Sequence, residues 1–216
     1  MNEESYPVTV QGELEEVPSR GLWLVKWILL VPHIIVIAAL AVVFIILTII
    51  AWFAILFTGR YPKGIFDFNV GVLRWSWRIG FYGYSALATD KYPPFSLDKD
   101  SEFPADLDVE YPEKLSRGLI FVKWLLAVPH FAVLAVLVGS AHVYDPNWGW
   151  PKGAETQDLR VYGLLWILIA IVAIVLLFVK KYSRDIFKLV LGINKWSYRV
   201  LAYVFLMTDK YPPFRL

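Results

Sequence analysis

Apolar positions along this chain are gathered into long runs. Between Leu22 and Phe57 lie 36 residues whose only strongly polar members are Lys26 and His33. About 18 apolar residues in a row already suggest a membrane span. As one straight helix this run would be about 54 Å long, against a hydrocarbon core of about 30 Å. The length predicts a tight helical hairpin, or an interfacial first segment broken at Pro32. Further along, residues 119–143 and 161–179 read as two helices of about 37 Å and 28 Å. Between them the stretch 144–153 is rich in turn residues and tryptophan, which predicts a hairpin with an exposed loop over 144–160.

A different pattern follows each apolar region. Residues 66–87 and 187–207 have helical periodicity with a narrow polar stripe: Asp67, Gly71, Arg74, Arg78, Tyr82 and Ser85 in the first, Lys188, Gly192, Lys195, Arg199 and Tyr203 in the second. Trp75, Trp77, Phe81, Trp196 and Tyr198 occupy other faces. Two readings are open. The helices lie at the headgroup level with their arginines on lipid phosphates, or they are further spans with the arginines turned into the bundle. Each helix is stopped by Tyr-Pro-Pro, which removes two amide donors.

The same words recur in the same order. Ser19-Arg-Gly, Val-Lys26-Trp and Pro-His33 return as Ser116-Arg-Gly, Val-Lys123-Trp and Pro-His130, at a spacing of 97. Gly71, Trp75, Ser76 and Arg78 return as Gly192, Trp196, Ser197 and Arg199, at 121. Thr89-Asp-Lys-Tyr-Pro-Pro-Phe95 returns as Thr208 to Phe214. The chain is therefore two tandem copies of one unit, with 24 extra residues in the second around 139–162. The division is 1–97, an acidic linker 98–110, and 111–216.

Composition sharpens this picture. The hydrophobic share is 58% and the charged share 19%, more apolar than an ordinary soluble domain. The first apolar run is too long and too acidic in its leader for a cleaved signal peptide. With no cysteine, disulfides and thiolate chemistry are excluded. A net charge of +2 gives no case for nucleic acid. Basic residues flank the apolar runs (Arg20, Lys26, Arg60, Lys63, Arg117, Lys123, Lys180, Lys181, Arg184), which places those edges and both termini on the cytoplasmic side. Acidic residues collect in 1–20 and 96–116. These read as solvated tails, or as a latch folding back on the basic helices. The short extended stretches 6–10 and 107–109 are expected to pair with the segments at Phe95 and Phe214 in a small sheet.

Candidate chemistry is sparse. Lys26, His33, Lys123 and His130 are polar groups inside apolar segments, each histidine seven residues after its lysine. The plainer expectation is that each histidine satisfies a backbone group freed by the preceding proline. The sharper one is that the two copies pack about a pseudo-dyad and bring His33 and His130 together as haem ligands or a proton relay. His142 with Asp145 makes a poor metal site. No catalytic constellation, zinc spacing or phosphate loop is visible, so no enzyme and no metal are expected, and no cofactor beyond the haem alternative.

The pattern Val-Lys-Trp…Pro-His, then Gly59-Arg-Tyr-Pro62, then Asn69 to Arg78, then Tyr-Pro-Pro-Phe95, resembles an uncharacterised bacterial (actinobacterial-type) membrane family known as domain of unknown function 4389. The resemblance covers nearly the whole chain as two copies, and copy two departs at Lys180-Lys-Tyr-Ser183 and at the inserted loop. It implies a fold and a membrane location but no activity.

The expected fold class is thus all-α and integral to the membrane. Each of its two repeats is a transmembrane hairpin followed by an amphipathic aromatic and basic helix, with short extended cytoplasmic segments. The expected function is that of a non-enzymatic scaffold or accessory subunit of the cell membrane, multi-pass. It would bind anionic lipid, a membrane-protein partner or a second copy through Arg74, Arg78, Lys195, Arg199, Trp75 and Trp196. The alternatives are a small transporter or channel at the repeat interface, and a haem- or quinone-linked subunit through His33 and His130.

Overall fold

A computed structural model of the chain describes residues 6–15, 18–19, 21–143, 159–179 and 182–216, with only the backbone of 140–143 and 159–162. Arg20, the loop 144–158 with Asp145, Lys180 and Lys181 lie outside the described residues, as does the side chain of His142. The described chain is mostly helical with two small two-stranded sheets.

The first apolar run forms one helix, α1 (Lys26–Thr58), after a strand β1 (Val8–Gly12) and a short turn of 3₁₀ helix (Leu22–Leu24). The expected hairpin within residues 22–57 is therefore corrected. Nothing between His33 and Phe57 is a glycine, proline, asparagine or aspartate that would turn the chain. The helix continues through Pro32 and buries Lys26, Leu30, His33, Phe44, Ala51 and Ile55 on one heptad-spaced stripe. Its other faces leave Ile35, Val42, Ile45, Phe53 and Phe57 more than half exposed. Gly59 ends it in the left-handed conformation (φ 70°), its N–H returning to the Ile55 carbonyl at 2.8 Å.

The chain then turns through Pro62 into α2 (Lys63–Tyr82), which runs back along α1. Asn69 reaches Thr48, Trp75 reaches His33 and Tyr84 reaches the Trp23 carbonyl. The helical hairpin of each copy is thus the apolar helix with the basic helix, not two halves of the apolar run.

Copy two repeats this plan with an interruption. After β2 (Ala105–Val109) come α3 (Leu119–Leu126), α4 (Val128–Leu137), the hairpin β3 (Ser140–Val143) with β4 (Leu159–Tyr162), α5 (Leu164–Val179) and α6 (Arg184–Val204). The two repeat spacings, 97 and 121, place the inserted 24 residues between the counterparts of Ala41 and Val42, midway along α1. The ends of the insert meet, the Gly163 N–H donating to the Gly139 carbonyl at 2.7 Å and Trp166 Nε1 to the Val138 carbonyl at 3.2 Å. The buried stripe of α5 (Leu165, Ile169, Val172, Leu176) repeats positions 44, 48, 51 and 55 of α1. Helices α3, α4 and α5 together are therefore the counterpart of α1, split by a β-hairpin.

The strands join the copies. β1 pairs antiparallel with β2, with Val8 opposite Val109, Val10 opposite Leu107 and Gly12 opposite Ala105. This corrects the expected pairing with the segments at Phe95 and Phe214, and it brings sheet into a fold expected to be all helix. Val10 and Leu107 are themselves repeat equivalents, 97 apart, so a pseudo-two-fold axis passes between them. A second pair of equivalents, Trp77 and Tyr198, meets where α2 touches α6, with ring centroids 5.7 Å apart. Around this axis the strands are exchanged: β2, which opens copy two, packs on α2 of copy one, while β1 packs on α6. The acidic stretch 98–110 is thereby part of the packed body. The resulting order is apolar helices, then α2 with α6, then the sheet.

Candidate functional site

The repeated words of the sequence close on one another as two matching polar locks. In copy one, the Lys26 ammonium is buried, donates to the Thr89 carbonyl at 2.7 Å, pairs with Asp90 at 3.1 Å and sits 4.5 Å from the centre of the Tyr82 ring. Asp90 also accepts the Ser19 N–H at 2.5 Å. In copy two, Lys123 donates to the Thr208 carbonyl at 2.7 Å, pairs with Asp209 at 2.7 Å and lies 5.2 Å from the Tyr203 ring, while Asp209 accepts the Ser116 N–H at 2.6 Å. A buried lysine keeps its charge only with such partners.

Two turns further along each apolar segment stands the histidine. His33 Nδ1 accepts a hydrogen bond from Trp75 Nε1 at 3.2 Å, and its ring stacks on Phe95 at 3.8 Å with Tyr92 at 4.9 Å. His130 has the same cage from Trp196 (3.1 Å), Phe214 (4.0 Å) and Tyr211 (4.8 Å). The tyrosines reach the backbone instead: Tyr92 and Tyr211 donate to the Leu29 and Leu126 carbonyls, each at 3.0 Å, one residue after the Ile28 and Leu125 carbonyls that Pro32 and Pro129 leave without a helical donor. The expectation that histidine would satisfy the backbone beside proline is corrected to this division of labour. It was out of reach of sequence reasoning because it required knowing that Tyr-Pro-Pro-Phe returns to that turn. The indole donor leaves the imidazole proton on Nε2, and among the described residues Nε2 has no hydrogen-bond partner in either cage. That tautomer is the wrong one for binding iron through Nε2. The ring partners of each histidine come from its own repeat alone.

Each closing segment is returned by a strained turn. Leu87 and Leu206, again repeat equivalents, are buried with φ of 51° and 65°, a region that L side chains seldom adopt. The segment then passes over the basic helix at a glycine. A Cβ on Gly71 would stand 2.8 Å from Leu97 Cβ, and one on Gly192 would stand 2.9 Å from Leu216 Cβ.

The locks are alike; the sheet flanks are not. Arg74 is buried, donating from Nε to the Leu107 carbonyl (2.9 Å) and from Nη1 to the Leu97 carbonyl (2.8 Å), with Asp106 and Asp108 each at 3.1 Å. Arg78 is fully buried and meets Asp106 at 3.3 Å. Burial holds its guanidinium below the ordinary value, with Asp106 pulling the other way. The acidic stretch is thus a latch on the basic helix, and these arginines are occupied by carboxylates instead of facing outward. Lys195 and Arg199 stand at the equivalent positions of α6. Across the axis, Asp106 and Asp108 correspond to Thr9 and Gln11, which carry no charge. Among the described residues no carboxylate pairs with Arg199. Its guanidinium lies 5.5 Å from the centre of the Tyr6 ring, and among the described residues its buried Nε has no hydrogen-bond partner. Burial and the neighbouring Arg215 lower its affinity for a proton. Among the described residues no group of three histidine or carboxylate side chains is placed to hold a metal.

Fold and site define a class: a duplicated, mostly helical chain with two helices, Lys26–Thr58 and Leu119–Leu137, long and apolar enough to cross a membrane. The chain belongs to the family described as Domain of unknown function (DUF4389), whose model matches residues 20–96 and 159–215, one segment in each copy. The second match starts within the hairpin insert, at the first residue of β4. No curated protein and no solved structure matches the chain.

Proposed function

We propose that this chain is an integral membrane protein acting as a non-enzymatic scaffold or accessory subunit, embedded through the outer faces of α1 and α3–α5. The supporting observation is how the side chains are spent. The repeated polar residues Lys26, His33, Lys123 and His130 face inward, into locks that hold each copy together. The outward faces of the apolar helices are left as a broad hydrophobic surface, and a contiguous exposed patch of that extent needs lipid or a partner to cover it. The sheet and its carboxylates lie on the opposite side of α2 and form the aqueous face. Tyr6 donates to the Lys210 carbonyl at 2.9 Å, so the two ends of the described chain share that face.

The chain's lack of cysteine makes the test clean. Ile46→Cys lies on the exposed face of α1, and Thr9→Cys lies on the sheet. The protein is expected to resist alkaline carbonate extraction. In right-side-out and inverted membrane vesicles compared side by side, a membrane-impermeant thiol reagent is expected to label position 9 in one orientation only and to spare position 46 in both until detergent is added. Release by carbonate, or equal labelling of both positions, would sink the reading.

A further inference from the structure

The pseudo-two-fold axis turns the two flanks of the sheet into a comparison between a filled site and an open one. In copy one, the basic pair of α2 is met by two carboxylates from β2, supplying four acceptor oxygens and about two negative charges. In copy two the basic pair is kept as Lys195 and Arg199, one helical turn apart and so on one face. The strand that packs there, β1, brings Thr9 and Gln11 instead, both exposed. A third cation, Arg215, is close enough to lower the proton affinity of Arg199. Its segment crosses α6 at Gly192, where a Cβ would stand 2.9 Å from Leu216 Cβ. Three cations are thus gathered where the fold elsewhere places two anions.

We infer that the copy-two flank, formed by Lys195, Arg199 and Arg215 beside Tyr6, takes a phosphate group that stands in for the missing carboxylates. Phosphate matches the gap in charge and in acceptor count, and an arginine edge together with a lysine point charge suits its geometry. The buried Nε of Arg199 is a donor already withdrawn from water with no partner among the described residues, a condition that an incoming acceptor relieves. In copy one the equivalent Arg78 also has a buried Nε and Nη1 without a hydrogen-bond partner among the described residues, but its Nη2 meets Asp106 at 3.3 Å, and Arg199 has no such carboxylate. The same chemistry is offered by an anionic lipid headgroup and by free phosphate. The lipid source rests on the membrane reading above, which carbonate extraction tests separately.

The decisive variant closes the open flank by copying the filled one. Thr9→Asp with Gln11→Asp changes two exposed positions and leaves every cation in place. The full chain in neutral detergent is titrated with inorganic phosphate. In parallel, the chain in nanodiscs of phosphatidylcholine, with and without phosphatidylglycerol, is assayed for retained lipid. Binding by the wild type is expected to fall about tenfold or more in the closed variant, whose added carboxylates lie opposite Asp106 and Asp108 and lower its melting temperature, and likewise in Lys195→Gln with Arg199→Gln, which adds no carboxylate. Binding of inorganic phosphate that competes with the lipid points to a free-phosphate site, and binding of the lipid alone points to a headgroup site. Either result supports the inference. Failure of the wild type to bind either probe, or undiminished binding by the closed variant, overturns it. A chain that resists carbonate yet binds no phosphate loses this inference and keeps the membrane reading.

Discussion

The two copies agree where they hold themselves together and differ where they meet their surroundings. Lysine, histidine, tryptophan and the Thr-Asp-Lys-Tyr-Pro-Pro-Phe words form the same lock twice, down to matching hydrogen-bond lengths of 2.7 Å from each lysine to a threonine carbonyl. Copy one then seals its basic helix with carboxylates and keeps α1 unbroken. Copy two sets no carboxylate on Lys195 or Arg199 among the described residues and splits the equivalent helix with a β-hairpin. The lesson is that the shared residues are architectural, while the sheet flanks and the apolar helix are where the copies have diverged.

The comparison predicts equal costs at the locks. Lys26→Met and Lys123→Met each strand a carboxylate and remove a buried cation from its cage. Each is expected to cost about 3 kcal/mol, read as matching losses in thermal stability in detergent. A cost at one copy only would break the equivalence of the locks. At the flanks the costs should be unequal. Asp106→Ala leaves buried Arg74 and Arg78 short of a partner and is expected to cost about 2 kcal/mol. Its counterpart across the axis, Thr9→Ala, should stay within about 0.5 kcal/mol of wild type. Similar losses at both would mean that the copy-two flank is not open.

A sharper probe of the axis itself is alkaline pH. Burial holds the Tyr198 phenol up at about 12, against an ordinary value of about 10. A raised phenol contributes stability that is fully present below pH 10 and lost as pH climbs towards 12. Tyr198→Phe is expected to flatten this alkaline limb by up to about 2 kcal/mol, while forfeiting its contact with Ser76 at 3.2 Å. An unchanged alkaline limb would place Tyr198 outside the packed crossing. A smaller loss is expected at the cages: Trp75→Phe and Trp196→Phe each lose one hydrogen bond to histidine, about 1 kcal/mol, equally in both copies.

Much of this was legible in the sequence. The duplication, the size of the insert and the two basic helices follow from repeated words and periodicity, and the acidic latch was one of two readings of the charge pattern. The hairpin was misread because length alone was set against bilayer thickness, while the absence of any turn residue between His33 and Phe57 pointed to a continuous helix. The strand pairing was legible in one respect. Both copies open with an extended stretch at the same spacing of 97, which is the signature of a self-complementary pair about an axis. The cages were not legible, because they join residues more than 40 positions apart through a closing segment whose path depends on the left-handed turns at Leu87 and Leu206.

The central claim is that the copies exchange their opening strands about one axis, in a register that sets Asp106 and Asp108 against copy one and Thr9 and Gln11 against copy two. Disulfide formation tests it directly, since the chain has no cysteine of its own. Thr9→Cys with Asp108→Cys joins residues directly opposite in the ladder, within reach of a disulfide, whereas Gln11→Cys with Asp108→Cys is a diagonal pair about 7–8 Å apart. The account predicts rapid, near-complete crosslinking within one chain for the first pair and little for the second. Equal crosslinking of both pairs, or crosslinks only between chains, would contradict the shared sheet and the assignment of the open flank.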